Sequence, residues 1–206
     1  MENNKYNRRE FACSLGIVAA ALVLPQNGFA NNKMADGNIN HIGPKEGFTP
    51  QIGTLISMLD WVSDSVISYN PKLTVEQLDY LHDEDSNTIG SLMLHLAATE
   101  VVYQDITLHN LPSFSDTNKS KWNVAMELSE NARKQIKGNP LSYYKDAINE
   151  VRTVTKTEMK KRDDAWLLTG ETKDWDWNNY CKWFHVAEHY ANHRGQMTWY
   201  AKRIPK

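Results

Sequence analysis

The sequence predicts an all-α fold, a four-helix bundle with one or two short accessory helices, on three observations. Four stretches of roughly twenty residues read as helices, most with apolar side chains at the 3.6-residue spacing of one buried face and one apolar on more than one side. Helix start and stop residues punctuate them, among them Thr49-Pro50, Gly138, Asn139-Pro140 and Pro205. No segment alternates apolar and polar residues as a half-buried strand does, and no internal repeat is visible. Packing helix on helix is the simplest way to bury such faces.

The chain opens with a segment that does not belong to the fold. Residues 1–30 combine a basic start (Lys5, Arg8, Arg9) with the uncharged run Phe11 to Leu24 and small residues before Asn31, the pattern of an export signal peptide cleaved after Ala30. The run is too short for an ordinary membrane span. "NRREF" resembles a twin-arginine signal, which directs folded proteins outward, so the expected location is the periplasm. Residues 31–47 are polar and glycine-containing, without periodicity, and read as a flexible tether to a domain at 48–206. Removing the leader changes the formal charge from -2 to -3. A mildly acidic domain has no electrostatic reason to bind nucleic acid, and nothing beyond the leader is apolar enough for a membrane. Cys13 leaves with the leader, so Cys181 stands alone and no internal disulfide can form.

The first helix begins at Thr49-Pro50, carries Ile52, Leu55, Ile56, Leu59, Val62 and Val66 on one face, and is expected to end at Pro71. A connection follows in which Thr74 to Gln77 has the capping-box form of a short helical turn. The second helix spans about 88–109, capped by Ser86 or Asn87, and is rich enough in Leu, Ala and Val to be buried on more than one side. A shorter amphipathic helix is expected as one piece over 120–138, ended by Gly138. The next long helix takes Asn139 as cap and Pro140 as first residue, with Leu141, Tyr144, Ile148, Val151 and Met159 on its core face. After an irregular stretch the last helix covers about 178–203.

That last helix carries "WFHVAEHYANHRGQ", with His185, His189 and His193 four apart. Residues at that spacing are offset by about 40° and about 6 Å along the axis, so neighbouring imidazoles can converge on one ion. A catalytic zinc site commonly uses three protein ligands and leaves a position for water or substrate. His95, alone in the middle of an apolar helix, is the candidate third ligand from another helix. Each histidine taken singly is more simply a hydrogen-bonded core residue; a metal satisfies several buried imidazoles at once. "HVAEH" also fits the H-x-x-E-H form of inverzincin peptidases, but only 17 residues follow His189 and none beyond His193 is a good ligand.

The "WFHVAEHYANHRGQM" segment, the upstream "GSLMLHLAATE" and the helix order between them resemble the DinB-like superfamily of metal-binding four-helix bundles over about 49–205, with "HRGQ" the most specific part. The resemblance implies that His95, His189 and His193 are the metal ligands, with a divalent zinc, nickel or iron ion as cofactor. It leaves His185 as a supporting donor or an alternative ligand. Asn192 stands where a second histidine is common in "HHRGQ". On a helical wheel Gln196 and Tyr200 fall within about 20° of His189 and can line the site, whereas Glu188 and Glu100 point away and are not taken as bases. Cys181 reads as a small buried hydrophobe, and Trp166, Trp175, Trp177 and Trp183 as core and dimer packing. The resemblance implies a metal-dependent hydrolase or a thiol transferase acting on a small-molecule substrate; a non-enzymatic metal-binding module is the competing class, and the tryptophans make a homodimer the expected assembly. Bacillithiol and mycothiol are thiols used by family members, and export counts against such a cytosolic cofactor here. Metal release is expected as pH falls below about 6, because bound imidazoles must be unprotonated.

Overall fold

Helix α1 (Pro50–Ile67) starts where the sequence places it, but its cap comes from far along the chain. The Thr49 hydroxyl donates to Asp164 Oδ1, and the same carboxylate oxygen accepts from the N–H groups of Gln51 and Ile52. An acidic group thus sits at the positive end of the α1 dipole and ties it to a 3-10 turn at Asp164–Leu168. In this computed structural model residues 37–68 and 72–205 are described. The leader at 1–30, the first part of the expected tether and the stop at Pro71 lie outside them. Among the described residues every element is helical, and no helix is long and apolar enough to cross a membrane.

Part of the expected tether is docked rather than free. Asn40 accepts from the Trp61 indole at 3.3 Å, Gly43 N donates to Ser57 Oγ at 3.1 Å, and Lys45 Nζ pairs with Asp60 at 2.6 Å. Gly53 permits this approach, since a Cβ there would lie 2.5 Å from Lys45 N. Polarity and missing periodicity concealed a segment held by side-chain contacts to α1.

The capping box appears at α2 (Val75–Leu78), with Thr74 and Gln77 bonded reciprocally. Helix α3 (Ile89–Leu108) is the centre of the bundle, and of its residues only Ile106 is not buried. A helix apolar all round has to be enclosed, and α3 packs on α4, α6 and α7. Its cap is Thr88, which accepts from Ser91 N at 3.0 Å; Ser86, expected in that role, donates instead to Asp83.

The expected single helix over 120–138 is two. Helix α4 (Asp116–Glu127) begins earlier, under a Ser115 cap, and α5 (Ser129–Gln135) follows after a break. Leu128 has φ 55° and ψ -123°, and Ser129 has φ 64°. No glycine or proline marks this point, so periodicity alone could not reveal it. Helix α6 (Leu141–Met159) is capped by Pro140 itself, one residue later than expected. Its Tyr144, fully buried, packs onto α3 where Gly90 leaves room: a Cβ at 90 would meet the ring at 2.7 Å. Helix α7 (Asn179–Ala201) starts under Asn178, which accepts from Cys181 N at 2.9 Å, and packs on both α1 and α3. Helices α1, α3, α6 and α7 form the four-helix bundle, with α2, α4 and α5 as accessories.

Candidate metal centre

Helices α3 and α7 run antiparallel, so His95 on one faces His189 and His193 on the other. The contact is made by ring nitrogens: His95 Nε2 and His189 Nε2 are 2.9 Å apart, and His193 Nε2 and His189 Nε2 are 3.1 Å apart. The structure therefore brings together the three histidines named as ligands. Among the described residues they are the group whose donor atoms, all within 4.8 Å of one another, suit a metal ion. His95 and His193 are buried and His189 half-buried.

Hydrogen bonds at the far sides of two rings decide what those nitrogens present. His95 Nδ1 lies 3.0 Å from the Ala125 carbonyl, which can only accept, so Nδ1 carries the proton and Nε2 keeps its lone pair. His193 Nδ1 lies 2.9 Å from Gln196 Oε1, with the same consequence. Two lone pairs thus converge on His189 Nε2, which has at most one proton to offer. Without a cation, one of the two short N···N contacts sets lone pair against lone pair. Nitrogen ligands around a tetrahedral zinc would lie about 3.3 Å apart, within a few tenths of an ångström of the His95–His189 and His189–His193 spacings.

The break between α4 and α5 makes the first of these bonds available. In a continuous helix the Ala125 carbonyl would accept from Ser129 N, four residues on. The positive φ angles at Leu128 and Ser129 turn that N–H away and free the carbonyl for His95. Such backbone costs roughly 1–3 kcal/mol per residue and persists where surroundings demand it, often at functional sites.

His185 stands apart from the cluster. Its Nδ1 is 2.9 Å from the Tyr103 hydroxyl, and its ring centroid is 5.4 Å from that of His189. An inverzincin would need His185 and His189 as paired ligands, and that pairing is absent from the cluster. Trp177 packs against His185 with ring centroids 5.5 Å apart and the planes tilted by 56°, and Trp175 against Trp177 at the same distance, so the indoles of the last loop wall this flank. Trp183 is a core residue, fully buried with its indole N–H on Thr107. Cys181 is half-buried. Tyr200 packs on the core edge beside Trp199.

Glu188 is exposed, as its wheel position implied. Glu100 also points away from the histidines, yet it is far from idle. Fully buried, it accepts both arms of the Arg152 guanidinium at 2.8 Å, the Tyr190 hydroxyl at 3.1 Å and the Thr155 hydroxyl. Burial and the neighbouring carboxylate push the Tyr190 phenol above its usual range. The sequence contains no local signal for a pair 52 residues apart. Tyr103, by contrast, was discoverable: eight residues beyond His95 on α3, it meets a residue four before His189 on the antiparallel α7.

Burial lowers the His95 pKa to about 4 and the His189 pKa to about 3, the latter helped by its three histidine neighbours; burial lowers His193 as well. Proton competition for the site therefore sets in below the pH of about 6 that free histidine implies. The unfolded chain, with histidines near 6.5, binds more protons than the native one between roughly pH 6.5 and pH 4. Stability is fully present above 6.5 and falls as pH drops through that window. Chelator-treated protein should show a urea midpoint that declines from pH 7 to pH 4, with a shallower decline in His95→Gln. A midpoint flat over that range contradicts neutral buried imidazoles.

Residues 54–200 match a family model described as mycothiol-S-transferase. No curated protein matches the chain.

Proposed function

The chain belongs to the mycothiol-S-transferase family, a DinB-like family, and from that premise we propose that it holds one divalent ion through His95, His189 and His193 and acts on a small molecule. The observation that carries this is the convergence of two fixed Nε2 lone pairs on a third imidazole, an arrangement that a cation satisfies and a proton cannot. Neutral imidazoles suit zinc, nickel or iron. A bound ion of this kind lowers the pKa of water or a thiol and polarises a carbonyl.

The chain's own residues supply orientation and exclusion. Ala125 O and Gln196 fix the tautomers of His95 and His193, and such supporting bonds set ligand basicity. Tyr103 holds His185 by a hydrogen bond, and Trp177 and Trp175 pack along that side. Hydrolysis of a small substrate is the first reading, because the twin-arginine-like leader supports a periplasmic location without cytosolic thiols. Thiol transfer is the second, favoured by the family match. A homodimer belongs to the same proposal, supported by Phe184 and Trp199, which are 59% and 42% exposed on α7.

The test is protein purified without a histidine tag, analysed for metal and then assayed with esters, amides, lactones and thiol acceptors. About one ion per chain with turnover of one class supports an enzyme, and a loaded protein inert across the panel makes it a binding module. Size-exclusion chromatography with light scattering reads the oligomer.

A further inference from the structure

A cavity of about 780 Å³ opens at the end of the bundle where α3 stops and α7 starts, within the usual size range of small-molecule sites. Its walls include Trp166 and Trp175, and two cations reach it, Arg162 and Lys182. Lys182 is only 2% exposed, yet its ammonium has a single hydrogen-bond acceptor, Gly170 O at 2.6 Å, and the face of Trp175 at 4.5 Å. Glu171 acts on it only at longer range, and burial holds its pKa below the ordinary lysine value. Two of the three N–H donors of an ammonium so placed have no protein acceptor. Lys182 is also the fourth residue of α7, at the positive end of a long helix, where a cation is disfavoured.

Arg162 adds to this concentration of positive charge. One arm caps the end of α3 at Leu108 O, 2.8 Å away, while its buried Nε has no partner. Its guanidinium lies 5.8 Å from the Trp166 ring. The acidic residues of the cavity, Glu171 and Asp174, are exposed, and neither forms an ion pair with Lys182 or Arg162; Glu171 acts on Lys182, and Glu158 on Arg162, only at longer range. A buried cation short of acceptors and an unused guanidinium N–H call for the same thing, an oxyanion. The two indoles call for an apolar body attached to it.

We propose that this cavity binds a small organic carboxylate, its oxygens held by Lys182 and Arg162 and its apolar body against Trp166 and Trp175. Lys182 precedes His189 by two turns of α7, about 10 Å, so the site is separate from the three histidines and does not depend on a metal. The indole wall nonetheless continues from Trp175 through Trp177 to His185. A carboxylate seated here would anchor one end of a molecule whose other end extends toward the histidines.

Calorimetric titration with benzoate, in the presence and absence of chelator, tests it. Saturable binding that survives chelation and weakens at least about 10-fold in Lys182→Met is expected, the loss of one charged hydrogen bond. Glu171→Gln should tighten it. Benzylammonium, of similar shape and opposite charge, should not bind. The proposal is overturned by benzoate binding weaker than about 10 mM, the affinity ordinary for a molecule of this size. It is equally overturned by an unchanged affinity in Lys182→Met, or by benzylammonium binding as well as benzoate. The benzylammonium comparison needs no variant and stands if Lys182→Met fails to fold. A His189→Ala protein that binds benzoate but no metal would separate this site from the histidine centre.

Discussion

His189→Ala abolishes stoichiometric metal binding while leaving the helical fold intact. His189 is the ring that both others approach, at 2.9 and 3.1 Å, so its removal leaves two imidazoles with no shared third donor. Losing a supporting bond around a ligand typically costs 10–100-fold in affinity, and losing the central ligand exceeds that. Metal analysis after dialysis, with circular dichroism on the same sample, reads the outcome. Cys181→Ala is the control and keeps its ion, because Cys181 is outside the cluster. An ion retained at full stoichiometry in His189→Ala would place it elsewhere and remove the basis for a metal-dependent activity.

Arg152→Met unfolds at much lower denaturant than the parent chain. The guanidinium is 5% exposed and carries the charge that balances Glu100, itself fully buried. Burial alone would lower the Arg152 pKa, but Glu100, Tyr190 and Asp60 outweigh it and hold the group charged. Deleting one partner of such a pair costs about 3–5 kcal/mol, because the other charge stays buried and unbalanced. For a domain of this size that corresponds to a fall in melting temperature of roughly 10 °C. Adding Glu100→Gln should recover most of the loss, since the amide oxygen still accepts from Tyr190 without a charge to balance. Urea unfolding of both variants, free of metal, measures it; a loss under about 1 kcal/mol in Arg152→Met would mean that water or Lys156 reaches Glu100.

The four long helices were legible because each carries its own evidence: apolar residues at helical spacing or all round, and punctuation such as Thr49-Pro50, Asn139-Pro140 or Pro205. The histidine stripe was legible for the same reason, being a matter of spacing within one helix; His95 stood out as a lone imidazole in the middle of another, apolar helix, and the resemblance then chose His189 and His193 as its partners. What escaped is whatever depends on two distant segments at once. "MELSEN" reads as uninterrupted helix, yet the chain breaks at Leu128, where His95 takes the Ala125 carbonyl. The Asp164 cap of α1 and the Glu100–Arg152 pair belong to the same class, with no pattern in either partner's own neighbourhood. Gln196 was placed beside the site by its wheel position, but its role, holding His193, depends on a side-chain rotamer that spacing does not specify.

The two supports of the centre differ in what heredity can do to them. Gln196 holds His193 with an amide that a single codon change can delete. Ala125 holds His95 with its main chain, and every residue that could replace alanine there brings the same oxygen. Drift can therefore loosen one side of the triad directly, while the other is lost only if the chain stops turning at Leu128. Among descendants of this gene, position 125 is free to vary within its buried space, and position 196 is not.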